Sequence, residues 1–195
     1  MTDENSIDTS RTRTTASSIV TLKTIPPQLT PLILLTALAV LPVNMILPSL
    51  PHIATTFRVD FALVNLAVAG YAIVTALTEI VAGMLSDRYG RRPVALTAIC
   101  IFIVASAGCA LATDIAIFLL FRGLQASIAA CFSVALVMIK ETSSEGKAAS
   151  RFGYLAMGWA LAPMIGPLLG GSLDALFGWR AIFFVLTMLG AAVLA

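Results

Sequence analysis

The sequence predicts an all-α membrane protein with six transmembrane helices. Of its 195 residues, 59% are hydrophobic and 11% are charged, whereas soluble domains carry about 25% charged residues. The mean hydropathy is +0.98. The apolar residues are grouped in runs that reach or approach the roughly 20 residues a helix needs to cross a bilayer. Lipid is therefore the expected surrounding of most of the chain.

Six apolar runs define the predicted spans. They cover residues 32–57, 61–85, 94–112, 115–139, 152–173 and 181–195. Because the chain starts with a polar segment, the first apolar run lies too far from the amino terminus for a secretory signal. The acidic residues of the polar segment argue against a transit peptide. We predict a disordered cytoplasmic tail over residues 1–30 and a transmembrane bundle over residues 31–195. The last run has no polar stop, so we expect a truncated sixth helix and a fragment or half of a longer product.

The basic residues between the runs predict the orientation. Positive charge is enriched in the cytoplasmic loops of membrane proteins. Two basic residues, Arg58 and Arg180, lie on one side. Nine lie on the other: Arg11, Arg13, Lys23, Arg88, Arg91, Arg92, Lys140, Lys147 and Arg151. We expect a multi-pass protein of the inner (cytoplasmic) membrane whose amino terminus, and a longer connection over residues 140–151, are cytoplasmic.

Several functional classes find no support in the composition. The net charge of +2 is too small to suggest a nucleic-acid partner. Cys100, Cys109 and Cys131 lie within apolar runs without metal-ligand spacing, so we expect no metal site. No nucleophile, base and orienting group converge, so we expect neither an enzyme nor a cofactor.

A compact motif lies between the second and third runs. Its glycines permit a close helix approach and a tight turn. Its aspartate is costly at a membrane edge unless it is paired, and the arginines lie within reach. The motif consists of Gly83, Asp87, Arg88, Gly90, Arg91 and Arg92, and is followed by Pro93, which suits a first helical turn. An alternative for the arginines alone is that short cytoplasmic loops collect them anyway.

This string resembles the signature between helices two and three of the major facilitator superfamily. The resemblance implies a cytoplasmic gate at these residues. It also implies that the chain is the amino-terminal half of the superfamily fold, built as two three-helix inverted repeats. The partners implied are the lipid bilayer, a small-molecule substrate and a second, carboxy-terminal six-helix half.

A second motif, of prolines and small residues, lies in the fifth run. Its prolines remove backbone donors and its small residues allow neighbouring helices to support the resulting bend. The motif comprises Gly153, Ala162, Pro163, Gly166, Pro167, Gly170 and Gly171. It is similar to the signature of the 12-span drug:proton antiporters, with Ala162 in place of a glycine. The alternative is a generic packing helix. The first run, with its Leu-Pro-Ser-Leu-Pro close at residues 47–51, resembles the Bcr/CflA branch of multidrug exporters.

Polar residues inside the spans are candidates for proton coupling or for the cavity. Charged groups at membrane depth are costly and mark functional positions. Glu79 shares a helix face with Gly83 and Asp87, and we expect a coupling or substrate-charge role for it. The alternative is a carboxylate that bonds a neighbouring helix or reaches the cytoplasmic vestibule. Arg122 is expected to hold a carboxylate or shift its pKa, or else to be a structural partner, with Gln125 on the same face. In the first run Asn44 stands where related exporters often carry Asp.

Together these features predict proton-coupled efflux of drug-like compounds, with the proton gradient as the energy source. The resemblance implies a cavity lined by the first, second, fourth and fifth helices. One alternative is a sugar or metabolite symporter of the same superfamily. A second is a truncated membrane protein that transports nothing, because superfamily sites form between two halves.

Overall fold

The structure, a computed structural model, describes residues 30–142 and 145–194, and within these ranges every regular element is a helix. The predicted tail therefore lies outside the described residues, except for Thr30. The first span consists of α1 (Thr30–Ile46), a 3-10 turn (Leu47–Ser49) and α2 (Leu50–Phe57), and the fourth consists of α5 (Ile115–Gln125), a 3-10 turn (Ala126–Ile128) and α6 (Ala129–Thr142). Each of the other four spans is a single helix. The second is α3 (Phe61–Tyr89), the third α4 (Arg91–Leu111), the fifth α7 (Glu145–Phe177) and the sixth α8 (Arg180–Leu194).

Five of these spans are long and apolar enough to cross a membrane. The sixth, α8, is an apolar helix of 15 residues. The all-helical prediction is thus confirmed. The longer connection expected over residues 140–151 is mostly helical, because α6 continues to Thr142 and α7 begins at Glu145.

The turns between spans are short because single residues end and begin the helices. Gly90 has φ 88° and ψ 159°, and it both ends α3 and precedes α4. That turn lets the third span begin at Arg91, three residues earlier than predicted. At the other end, Asp60 accepts a hydrogen bond from the backbone N–H of Ala62, and Asp114 likewise caps α5. These caps satisfy donors that a helix start leaves free.

An aromatic cluster marks one end of the bundle, which we call the aromatic end. The ring of Phe118 lies 5.7 Å from Phe57, 5.6 Å from Trp179 and 5.6 Å from Phe183, centroid to centroid. These rings come from the end of the first span and the starts of the fourth and sixth. Successive spans therefore run in opposite directions, and Arg88, Arg91 and Arg92 lie at the other end, which we call the arginine end.

Candidate functional site

A groove of about 330 Å³ opens between the first, second, fourth and fifth spans. These are the four spans that the resemblance assigns to a transport cavity. Most of the lining is aliphatic. The polar and aromatic side chains in it are Asn44, Tyr71, Thr75, Glu79, Phe132 and Trp159.

The second span contributes a strip of polar side chains to the groove. Tyr71, Thr75 and Glu79 are spaced by four residues, so they lie on one face of α3 over about 12 Å. Tyr71 is 4% exposed, whereas Glu79 is exposed. The stretch of α3 around Glu79 lies at the groove, where no helix of the described chain covers it.

Tyr71 and Thr75 carry buried hydroxyl groups one helical turn apart on the same face of α3. Neither oxygen makes a hydrogen bond of ordinary geometry with another described residue, although the two hydroxyls interact with each other. Neither residue was among the predicted site residues, although their spacing of four and eight from Glu79 places them on its helix face.

Asn44 lines the groove from the first span. Its Nδ2 donates to the carbonyl of Val40 at 2.9 Å, one turn earlier in α1. This bond fixes the amide against its own helix. The opposite side of Asn44 is covered by the fifth span, because a Cβ at Gly166 would lie 2.5 Å from the Asn44 Cβ.

Arg122 lies behind the groove rather than in it. Its side chain is 1% exposed, and its guanidinium stacks over the Tyr71 ring, with Cζ 4.2 Å from the centroid. Nε donates to the carbonyl of Ala67 at 3.2 Å, and one terminal nitrogen donates to the carbonyl of Pro42 at 2.9 Å. The arginine therefore ties the fourth span to the first and second.

Gln125 completes this network. The other terminal nitrogen of Arg122 donates to Oε1 of Gln125, and Nε2 of Gln125 donates to Ser106 Oγ at 2.7 Å. Gln125 and Ser106 are both fully buried. Among the described residues Arg122 holds no carboxylate: its partners are backbone carbonyls, an amide and an aromatic ring, which fits the structural alternative. Arg122 and Gln125 are thus separated from Asn44 and Glu79, which do line the groove.

The gate motif lies at the arginine end, where most of its charged side chains are exposed. Asp87, Arg88 and Arg92 are exposed, and Arg91 is half-buried. The expected pairing of Asp87 with an arginine is absent among the described residues, where the recorded ion pair is His52–Asp174. Asp87 is exposed at the end of α3, and nothing lies within 4 Å of a Cβ built at Gly83.

The motif of the fifth span packs on the first span. A Cβ at Gly170 would lie 1.9 Å from the backbone oxygen of Met45, and one at Gly171 would lie 3.7 Å from Pro48. Ala162 is 4% exposed, so the position where a glycine was expected is also packed. The helix remains continuous through Pro163 and Pro167. Gly153, in contrast, meets nothing within 4 Å.

At the aromatic end a second contact joins the first and fifth spans. His52 Nδ1 lies 2.6 Å from Asp174 Oδ1. Nearby, the indole nitrogen of Trp179 donates to Thr56 Oγ1 at 3.2 Å. No local pattern pointed to this pair, because the two residues are 122 positions apart in the sequence. Within the described ranges, no group of three or more His, Cys, Asp or Glu side chains could hold a metal ion.

Comparison with known families decides the ancestry. The family model described as Major Facilitator Superfamily matches residues 32–195. The chain belongs to the major facilitator superfamily. The superfamily is a class of transporters, so the prediction that the chain is not an enzyme is confirmed. The six-helix bundle is consistent with half of the major facilitator fold, and the chain is a multi-pass membrane protein.

Individual relatives in the superfamily match most of this chain, but the matched segment is a minor part of each relative's own length. The "Uncharacterized MFS-type transporter YvkA" of Bacillus subtilis (strain 168) is 34% identical over 155 residues, 78% of this chain and 35% of the relative. The "Multidrug resistance protein MdtL" of Escherichia coli (strain K12 / DH10B) is 32% identical over 153 residues, 78% of this chain and 39% of the relative. The chain thus spans less than two-fifths of these relatives.

Proposed function

We propose that this chain supplies the amino-terminal half of a proton-coupled exporter of small drug-like compounds. The observation that carries the proposal is the groove between the first, second, fourth and fifth spans, whose lining holds one ionisable carboxylate, Glu79. Membership of the superfamily and the name of the relative "Multidrug resistance protein MdtL" support transport of this kind. The inner membrane, with the amino terminus in the cytoplasm, is the proposed location.

Glu79 is the proposed site of proton coupling. A charged carboxylate at membrane depth is costly unless it is hydrated, paired or protonated. The groove lets Glu79 exchange a proton with the side of the membrane to which it is open. If the transporter opens to the two sides in turn, proton entry can then drive substrate exit. The energy source is the proton gradient, and no bound cofactor is needed.

The open gate motif supports a second six-helix half as the partner. Asp87 and Gly83 lie on a face of α3 that the described part of the chain leaves uncovered. Small residues such as Gly83 let a further helix approach closely. A carboxylate at the end of this face can hold a polar group of that helix and release it when the gate opens.

The test is drug accumulation in cells that express the chain, with and without a carboxy-terminal six-helix half of the same superfamily. We expect lower accumulation of chloramphenicol or ethidium than in cells without it, and we expect a protonophore to abolish the difference. Glu79→Gln should abolish it too. Asp60→Asn is the matched control, because asparagine can still cap α3 far from the groove.

The direction of proton movement separates the alternatives. In inside-out vesicles with an acidic lumen, added substrate should raise the luminal pH as protons leave in exchange. A pH change of the opposite sign would identify a symporter. Unchanged accumulation in intact cells would show that the chain does not transport by itself.

A further inference from the structure

We infer that a second groove of the bundle holds an anionic phospholipid, with an acyl chain along its floor and the phosphate at Arg88. This groove, which we call the lateral groove, lies between the second, third and fourth spans and measures about 360 Å³. It shares no lining residue with the groove that contains Glu79. The inference goes beyond drug export, because it requires only that the chain lies in a membrane.

The depth and the chemistry of the lateral groove suit a hydrocarbon chain. Its wall on α3 runs from Thr78 to Tyr89, a rise of about 16 Å at about 1.5 Å per residue. One leaflet supplies half of the roughly 30 Å hydrocarbon core, so the groove extends from the membrane surface to near the middle. None of the described residues that line it is charged. The Ser127 hydroxyl in this wall already donates to the carbonyl of Ala98 at 3.1 Å, so it requires no polar ligand.

Small side chains make the lateral groove a recess instead of a flat helix surface. Ala82, Ala98 and Ala130, one from each of the three spans, are buried and form its floor. Leu85 and Ile101 also line it and are exposed, so they form its rim. An unfilled recess forfeits dispersion contacts with its lining. A linear acyl chain has the shape that restores them.

Arg88 lies at the surface end of the lateral groove. It follows Leu85 by three residues and Val81 by seven, so it shares their face of α3. Its Cζ lies 5.5 Å from the centroid of the Tyr89 ring. That ring lines the groove and is 63% exposed. A phosphate at this height accepts from the guanidinium, and tyrosine is enriched at membrane surfaces because its ring is apolar and its hydroxyl polar.

The start of the third span adds to the attraction for an anion. α4 begins at Arg91, and Pro93 in its first turn lines the lateral groove. Its cap, Gly90, provides no side-chain acceptor for the first turn. A helix start carries partial positive charge. The mouth of the groove therefore combines a basic side chain with a favourable helix end.

The carboxylate of the gate motif lies away from this mouth. Asp87 is two residues from both Leu85 and Tyr89, which places it about 160° from each around the helix. An ethanolamine head group, whose amine needs an acceptor, therefore gains none from the second span here. The same angle separates the lateral groove from the face assigned to the second six-helix half. The groove consequently faces lipid with or without that half.

Native mass spectrometry of the purified chain in detergent tests the inference. The chain is incubated with equal amounts of palmitoyl-oleoyl phosphatidylglycerol and of the phosphatidylethanolamine with the same acyl chains, and the retained lipids are identified by mass. We expect about fivefold more retained phosphatidylglycerol, the ratio that corresponds to one basic side chain beside an anionic head group.

Two charge variants locate the head group. Arg88→Gln should remove the preference for phosphatidylglycerol. Arg92→Gln removes the same charge from the same end of the bundle and should leave the preference unchanged. Arg92 is exposed and precedes Ile101 by nine residues, so it lies on the opposite side of α4 from the groove.

Two volume variants locate the acyl chain. Thr97 lines the lateral groove and is exposed there, so Thr97→Phe fills the recess without repacking the core. It should lower the retention of both lipids. Leu96→Phe is the matched control, because Leu96 is exposed on the same helix outside the groove. Circular dichroism should show the same helical content in all four variants.

Four results would overturn the inference. Equal retention of the two lipids by the parent chain would show that the head-group charge is not recognised, and no retained lipid would show that there is no site. Equal losses in Arg88→Gln and Arg92→Gln would indicate a general charge effect. Unchanged retention in Thr97→Phe would place the acyl chain elsewhere. None of these results bears on drug accumulation, so the proposed function stands or fails separately.

Discussion

The backbone of Gly170 lies directly against the carbonyl oxygen of Met45. A Cβ at position 170 would stand 1.9 Å from that oxygen, and one at Gly166 would stand 2.5 Å from the Cβ of Asn44. Two glycines of one motif thus set the crossing of the fifth span over the first. The same crossing holds the helix that carries Asn44 at the groove.

Gly170→Ala should therefore destabilise the bundle. The added methyl group meets backbone atoms, which cannot rotate away as a side chain can, and overpacking of this kind costs about 1–3 kcal/mol or more. Thermal or denaturant unfolding of the purified chain in detergent would measure the loss.

Gly153→Ala is the matched control, since it lies in the same motif and helix. Its Cβ would meet nothing within 4 Å, and alanine favours a helix over glycine by about 0.8–1.0 kcal/mol. We expect unchanged or slightly higher stability. Equal losses in the two variants would contradict the assigned crossing.

Gly90→Ala should destabilise the turn between the second and third spans. The φ of 88° at Gly90 is a backbone conformation that side chains disfavour, and such strain costs about 1–3 kcal/mol. The nearest atom to the added Cβ, Cδ of Pro93, is 3.9 Å away, so the cost comes from the backbone. Gly83→Ala, seven residues earlier and within α3, should be neutral or stabilising in the same unfolding assay.

Arg122→Lys should destabilise the bundle although it keeps the charge. The guanidinium reaches Ala67, Pro42 and Gln125 at once, and a single ammonium group cannot match that planar fork. Each lost hydrogen bond to a charged group costs about 1.5–3 kcal/mol. Unfolding assays should show a clear loss, whereas the exposed Arg92→Lys should stay within about 0.5 kcal/mol of the parent. An Arg122→Lys variant with unchanged stability would show that the network is not needed for stability.

The His52–Asp174 contact should contribute a small coupling energy to stability. The His52 side chain is 51% exposed, and exposed pairs of this kind contribute below about 1 kcal/mol. A double-mutant cycle with His52→Ala and Asp174→Asn, read by thermal unfolding, isolates the pair from other effects. A coupling energy well above about 1 kcal/mol would contradict the assignment of an exposed, weak contact.

Patterns along the chain were sufficient to predict the helices and the superfamily. In lipid every backbone donor and acceptor must be satisfied within the segment, so a long apolar run specifies a spanning helix without knowledge of its neighbours. The turn at Gly90 was predictable for a similar reason, because it depends on one residue and its own backbone angles. Near residues 140–151 the helices extend beyond the predicted apolar runs, because polar residues can also favour helix.

The partners of individual side chains were not predictable in this way. The sequence correctly singled out Arg122, but it suggested a carboxylate partner instead of the carbonyls of Ala67 and Pro42, which lie 55 and 80 residues away. It missed the His52–Asp174 pair, whose members are 122 residues apart. Local patterns carry no information about which distant helix faces which.

By itself, therefore, the sequence determined that the chain crosses a membrane as helices and that it shares the motifs of the major facilitator superfamily. Only the tertiary structure decided which side of each helix is covered. It placed Glu79 at an open groove, buried Arg122 behind the Tyr71 ring, and brought the backbone of Gly170 into contact with that of Met45. The physical reason is that the rotation of a membrane helix about its own axis is set by packing against its neighbours, because the lipid is as apolar as the side chains it surrounds.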